Sequence, residues 1–154
     1  MKKIALLTMV MLLACVQAQA VDISATGGWT ETIDASDLAG GAGTNLIDNY
    51  ESAAAATILE VYGTGVNDWY VDVTRSDITW HGDFTLYVKR ISDGTGSGWV
   101  ANGIAYIAIE TVDSDFFNGN GDRSNINVQY RLTGMSVSVP PGMYSTTVTY
   151  TVTE

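Results

Sequence analysis

Oxygen-bearing side chains are concentrated in one short stretch of this 154-residue sequence, and their chemistry suits a hard cation. The acidic and amide members of the stretch are Asp113, Asp115, Asn118, Asn120 and Asp122. Calcium prefers such oxygens in a glycine-containing loop, but the calcium-loop motif would need glycine where Asn118 stands and glutamate where Ser124 stands. The stretch therefore predicts an Asx-rich turn between strands, with calcium binding as the alternative.

Aromatic rings offer a second kind of chemistry, because the sequence holds four tryptophans and eight tyrosines that could stack on sugars. Tryptophans in β-sandwiches mostly pack in the core. Trp80 stands beside His81 and Gly82, and Trp99 follows a glycine-rich turn. We predict that Trp80 and Trp99 are the more exposed tryptophans and hypothesise that they bind a glycan.

The lone histidine, His81, has Asp77 and Asp83 close by in sequence as partners for acid–base work. No G-x-S-x-G nucleophile motif occurs, and nothing selects a catalytic pair among the 17 acidic residues. A surface-loop histidine is the simpler interpretation, so we predict no catalytic residues and no enzymatic activity.

Composition narrows the classes of partner. Seven basic and 17 acidic residues give a formal charge of −10, which argues against nucleic acid and anionic membranes as partners. One histidine and one cysteine leave few ligands for zinc and few pairs for cysteine–histidine catalysis.

The first twenty residues predict a secretory signal peptide. Lys2 and Lys3 precede the apolar run of residues 4–14, and Ala18-Gln19-Ala20 supplies the small residues of a cleavage site. We expect a secreted chain of residues 21–154, in the periplasm, on the cell surface or outside the cell. It would carry a formal charge of −12 once both lysines leave, with no later apolar run long enough to span a membrane. The alternative is a lipoprotein anchored through Cys15.

Alternating apolar and polar residues predict a single all-β domain over residues 21–154. The candidate strands cover residues 21–26, 56–62, 69–75, 84–91, 104–110, 126–132 and 143–153. Glycine-, asparagine- and proline-rich turns separate them, including Pro140-Pro141-Gly142. About seven strands with such spacers favour an antiparallel two-sheet sandwich. The one place where a short helix fits is the stretch 49–59.

The C-terminal residues 139–152, with the pattern P-P-G-x-Y before an alternating strand, resemble the end of secreted bacterial pilin-like and spore coat protein U-like subunits. The resemblance implies an immunoglobulin-like sandwich whose subunits form surface fibres by donating strands to one another. Those families usually carry a disulfide, whereas the only cysteine here is Cys15.

Strand addition to an open sheet edge is a mechanism that the residues themselves also permit. At the start of the expected secreted chain, Val21, Ile23 and Ala25 form an alternating segment that either enters a neighbouring subunit or pairs within its own domain. At the other end, the candidate assembly residues are Tyr144, Val148, Tyr150 and Val152. We therefore predict a secreted, self-associating structural subunit of the cell surface or of a fibre. The alternative is a carbohydrate- or calcium-dependent binding module.

Overall fold

The computed structural model describes residues 20–154, so the predicted signal peptide, except for Ala20, and Cys15 lie outside the described residues. A short 3₁₀ helix covers Ala35–Asp37. The strands are β1 (Asp22–Gly27), β2 (Asn49–Glu51), β3 (Thr57–Tyr62), β4 (Asp68–Thr79), β5 (Thr85–Arg90), β6 (Thr95–Gly96), β7 (Val100–Asn102), β8 (Ile107–Ala108), β9 (Ser114–Asn120), β10 (Arg123–Thr133) and β11 (Ser145–Thr153).

The strands form two antiparallel sheets, which confirms the predicted all-β sandwich. The larger sheet has the order β1-β3-β10-β5-β8, and β2 and β6 also pair with β10. The smaller sheet has the order β11-β4-β9-β7. Seven of the strands hold six residues or more; six of them coincide with expected strands, and the seventh, β9, is not expected from the sequence. Between residues 20 and 154, no helix is long and apolar enough to cross a membrane.

Side chains from both sheets meet in one apolar core. Alternate residues of β3, β4, β5 and β10 point into it, and the fully buried members include Leu59, Val61, Trp69, Val71, Val73, Val88, Ile126 and Val128. Trp69 packs edge-on against Phe117 with ring centroids 5.8 Å apart, and its indole N–H donates to the Gly121 carbonyl at 3.0 Å. Burial of each large apolar side chain contributes about 1.5–3 kcal/mol, which makes this core the main source of stability.

Strand β9 is the main departure from the sequence prediction, which placed an Asx-rich turn there. Asp115 pairs with Asp72 and Phe117 pairs with Val71, so Phe116 is an extra residue at a bulge. The bulge lets Phe116 and Phe117 both face the core, with ring centroids 4.9 Å apart. Two consecutive inward residues break the period of two, and the strand is therefore missed when alternation alone is used.

Two further expectations about local structure are wrong. The stretch 49–59 contains no helix, because β2 and β3 flank a turn at Ala53–Ala56 that is closed by a 3.1 Å hydrogen bond. Of the strand expected at 104–110, only Ile107–Ala108 is formed. Ile104 is solvent-exposed, and Tyr106 lies against the charged groups of Lys89 and Arg131 instead of continuing a ladder.

The two sides of the sandwich end in different kinds of edge strand. On one side, β1 and β11 lie next to each other at the edges of their respective sheets. We call this the long-edge side, because these strands hold six and nine residues. On the opposite side, the short-edge side, the sheets end in β8 and β7 with two and three residues.

Candidate functional site

Strand β11 is the longest edge strand of the sandwich. It pairs with β4 over its whole length, from Ser145 opposite Thr79 to Thr153 opposite Tyr70, and with no other described strand. Its sequence alternates, so Val148, Tyr150 and Val152 are partly buried against the core. The intervening threonines face outward. The alternation that predicted this strand therefore also determines its inner and outer faces.

The backbone groups on the free edge of β11 can be assigned from the neighbouring ladder. The Arg75 N–H donates to the Glu110 carbonyl at 2.8 Å, on the β9 side of β4. Because bonding direction alternates along a strand, the even-numbered residues of β4 bond to the opposite neighbour, β11. Their partners in β11 are threonines, such as Thr149 opposite Thr74. The N–H and C=O groups of Val148, Tyr150 and Val152 consequently point away from β4, toward the free edge.

None of the usual protections of an edge strand is present in β11. Soluble proteins keep exposed edges from pairing by means of lysine, proline, bulges or short strands. The segment Ser145–Thr153 contains no charged residue and no proline. The one irregularity in its pairing with β4 is an extra residue of β4, Ile78, opposite Ser145 and Thr146. The free edge of β11 is therefore a template for another strand.

Hydrogen bonds hold the centre of β11 to the core. The Tyr150 hydroxyl lies 2.9 Å from the Tyr130 hydroxyl, which lies 2.8 Å from the Thr57 hydroxyl. Burial raises the pKa of Tyr150 well above its ordinary value, and the neighbouring Tyr130 adds to the shift. The middle of the edge strand is thus anchored to a strand of the opposite sheet and presents its backbone in a fixed register.

The other predicted assembly residues occupy different places. β1 pairs within its own chain, with Asp22 opposite Tyr62 and Gly27 opposite Thr57. Val21 and Ile23 pack against the core, whereas Ala25 is exposed.

Tyr144 precedes β11 rather than belonging to it. Its ring packs edge-on against Phe84, with centroids 5.0 Å apart, and its hydroxyl donates to the Pro140 carbonyl. It helps to close the loop before β11 and does not lie on the free edge.

The predicted calcium ligands are spread along β9 instead of sharing a loop. Asn120 donates to the Val66 and Asn67 carbonyls, and Asp122 accepts from the backbone and hydroxyl of Thr64. Asp115 and Asn120 are five positions apart in the extended strand β9, about 16 Å, so the five side chains do not converge on one ion. Among residues 20–154 no group of three histidine, cysteine or acidic side chains has metal-binding geometry.

The outer face of the smaller sheet carries a shallow groove of about 550 Å³, whose lining includes Tyr70, Asp72, Asn102, Asp115 and Asn118. Tyr70 is 53% exposed, and the Asn102 amide donates to Asn118 at 2.6 Å. Burial raises the pKa of Asp72, and the charges of Asp115 and Asp113 add to the shift. Alternation alone places Tyr70 and Asp72 on this face, but the groove also needs β9, which that pattern does not reveal.

The two predicted sugar-stacking tryptophans differ in exposure. Trp99 is 43% exposed, as expected. Trp80 is partly buried, with Phe84 packed edge-on at 5.4 Å and the Arg75 guanidinium 5.3 Å from its ring centroid. The structure therefore leaves Trp99 as the more accessible ring.

His81 lies in the loop between β4 and β5, in contact with Phe84 and Tyr144. Its Nδ1 is 3.7 Å from the Asp83 carboxylate, while Asp77 pairs with Arg75 instead. Of the two predicted acidic partners, the structure thus brings only Asp83 close to the histidine.

The chain matches no protein-family model, no curated protein and no solved structure. The resemblance of the last strand to pilin-like subunits therefore has no support from a matching protein.

Proposed function

We propose that this chain is a secreted, non-enzymatic structural subunit of the cell surface or of a fibre, and that it self-associates through open sheet edges. The observation that carries the proposal is β11, a nine-residue edge strand without charge or proline. A free edge of this length supplies the backbone hydrogen bonds of a subunit contact without any further binding pocket.

Because β1 pairs within its own chain, we propose that the subunits associate by edge addition and not by exchange of their first strands. The larger sheet already contains its first strand, in register with β3 from Asp22 to Gly27. Assembly by edge addition then requires no strand to leave its own domain. The domain folds first and pairs afterwards, through the free edge of β11.

Electron microscopy of the secreted protein tests the proposal. We expect negatively stained preparations to show filaments or other ordered assemblies. Val148→Pro should abolish them, because proline removes one N–H from the free edge while the bonds to β4 stay in place. The melting temperature of the variant shows whether the domain remains folded.

Val66→Asp is the matched control, because Val66 is 89% exposed in the turn between β3 and β4 and does not belong to β11. It should assemble like the unmodified protein. A strictly monomeric secreted protein, or assemblies that survive Val148→Pro, would count against edge addition. Mass spectrometry of the secreted chain should show Val21 as its first residue.

A glycan-binding module is the second candidate function, and the groove on the smaller sheet favours it. An exposed tyrosine beside amide and carboxylate groups is a common way to bind a sugar ring and its hydroxyls. Glycan-array binding that is lost in Tyr70→Ala but kept in Tyr62→Ala would support this function. Tyr62 is the control because it is similarly exposed on the other sheet.

A further inference from the structure

Seven of the nine residues of β11 read the same in both directions. From Thr147 to Thr153 the order is Thr-Val-Thr-Tyr-Thr-Val-Thr, with Tyr150 at the centre. If two copies of this segment run antiparallel with Tyr150 opposite Tyr150, residues 147–149 of one copy lie opposite residues 151–153 of the other, and each residue faces one of the same type. The palindrome lies within the part of β11 that pairs with β4 in an uninterrupted register.

We propose that β11 pairs with β11 of a second copy of this chain, antiparallel and with Tyr150 opposite Tyr150. In this register every residue from Thr147 to Thr153 faces a residue of its own type, with Tyr150 facing Tyr150 at the centre. Cross-strand threonine pairs and β-branched pairs stabilise antiparallel ladders. The inference rests on the proposed function, since both use the free edge of β11, and it names the partner, the strand and the register.

The backbone directions agree with this register. Val148, Tyr150 and Val152 project their N–H and C=O groups toward the free edge, as the Arg75–Glu110 bond implies. In the proposed pairing these residues face one another as hydrogen-bonded pairs, which gives about six bonds between the chains. Thr149 then faces Thr151 of the second copy in a non-hydrogen-bonded pair, with about 4.5 Å between the Cα atoms.

The pairing is two-fold symmetric and therefore closes on itself. It joins two four-stranded sheets into one sheet of eight strands, and it uses the β11 edge of both copies. The opposite edge of each small sheet is β7, which has three residues and offers little for further addition. The β11 contact thus defines a dimer as the building unit, and growth into a fibre would need a second contact elsewhere on the surface.

Cysteine cross-linking tests the register in a Cys15→Ala background. Under mild oxidation, an equal mixture of Thr149→Cys and Thr151→Cys chains should form a disulfide-linked dimer, because these positions face each other within bonding distance. Each variant alone should form few cross-links, because identical positions lie about 7–8 Å apart on the diagonal. Equal cross-linking by either variant alone would overturn the register.

Charge pairs test the same contact without oxidation. In Thr149→Lys/Thr151→Lys, like charges face each other across the two-fold axis, so the dimer dissociation constant in sedimentation equilibrium should rise about tenfold or more. In Thr149→Lys/Thr151→Glu, lysine faces glutamate and the dimer should persist. Equal dissociation of both variants, or an unmodified protein that stays monomeric, would overturn the inference.

The outcomes also separate this inference from the proposed function. Filaments that persist in Thr149→Lys/Thr151→Lys would refute the β11 dimer and leave a fibre role standing. A β11 dimer that cross-links as expected but never forms larger assemblies would support the inference and refute the fibre role. Equal melting temperatures of the two charge variants would show that both remain folded.

Discussion

The long-edge side and the short-edge side of the sandwich differ in how open they are to the addition of another strand. On the short-edge side, β7 and β8 expose three and two residues, and the glycine-rich segments beside them pack closely on neighbouring backbone. On the long-edge side, β11 exposes nine residues with no charge and no proline. The short-edge side thus prevents strand addition because it exposes few backbone groups. The long-edge side exposes the free edge of a nine-residue strand.

Residues near β7 therefore maintain the fold, whereas the outward residues of β11 are available for contacts with another chain. Close backbone approach dominates near β7, where the structure tolerates little change. Along β11 the outward threonines are exposed, so their replacement should change association more than stability. The following predictions test that division.

The largest effect is expected on the short-edge side, from Gly119→Ala. A Cβ at Gly119, which pairs with Val100 of β7, would collide with the Trp69 ring and come within 2.6 Å of the Trp99 carbonyl oxygen. Overpacking of this kind should lower the free energy of unfolding by about 1–3 kcal/mol in urea denaturation. Gly28→Ala is the matched control and should be close to neutral, since nothing lies within 4 Å of its Cβ position. Equal effects would show that the short-edge side is not the tighter one.

On the long-edge side, Tyr150→Phe should cost about 1 kcal/mol by removing the hydroxyl bonded to Tyr130. Because the pKa of Tyr150 is raised in the folded state, the unfolded chain ionises first as pH rises. Stability should therefore be intact below pH about 10 and fall above it, with a shallower fall in Tyr150→Phe. Tyr62→Phe, which removes an exposed hydroxyl bonded to Asp22, is the control and should cost less. An unchanged alkaline slope in Tyr150→Phe would contradict the buried anchor.

The smallest effect is expected from Asp72→Asn, on the outer face between the two sides. The folded state raises the pKa of Asp72 through burial and through nearby Asp115 and Asp113, so its charged form destabilises the fold at neutral pH. The variant should gain a few tenths of a kcal/mol at low salt. The smaller part of the gain, from Asp115 and Asp113, should shrink as salt increases, whereas the larger part, from burial, should remain. Thermal melts at two salt concentrations measure it, with the exposed Glu60→Gln as control. A gain that is independent of salt would indicate relief of burial rather than of repulsion.

The sequence predicts the architecture well wherever alternation is uninterrupted. The segments expected to form β3, β4, β5, β10 and β11 all lie within observed strands or within two residues of them, and β4 continues to Thr79 while β10 begins earlier, at Arg123. β9 is not predicted because one extra residue, Phe116, breaks the alternation and places two consecutive rings in the core. The neighbouring Asn118 and Asn120, which the sequence pattern assigns to a turn, instead hold adjacent segments through side-chain hydrogen bonds.

The candidate site is less predictable because an edge is a property of the whole topology. The alternation marks Val148, Tyr150 and Val152 as inward-facing residues of a strand. It does not say that this strand lacks a second neighbour, since that depends on where β1 and β4 lie. The exposure of Trp99 follows from its local turn, whereas the burial of Trp80 depends on Phe84 and Arg75 packing against it.

The pairing of β11 with β4 also determines when the small sheet can be completed during synthesis. Thr153 is opposite Tyr70, and Ser145 is opposite Thr79. Each residue of β4 therefore leaves the ribosome long before its partner in β11. Until β11 emerges, β4 itself has an open edge, and long-range pairings of this kind form slowly. Nascent chains that lack β11 should therefore be prone to pairing of β4 with strands of other chains.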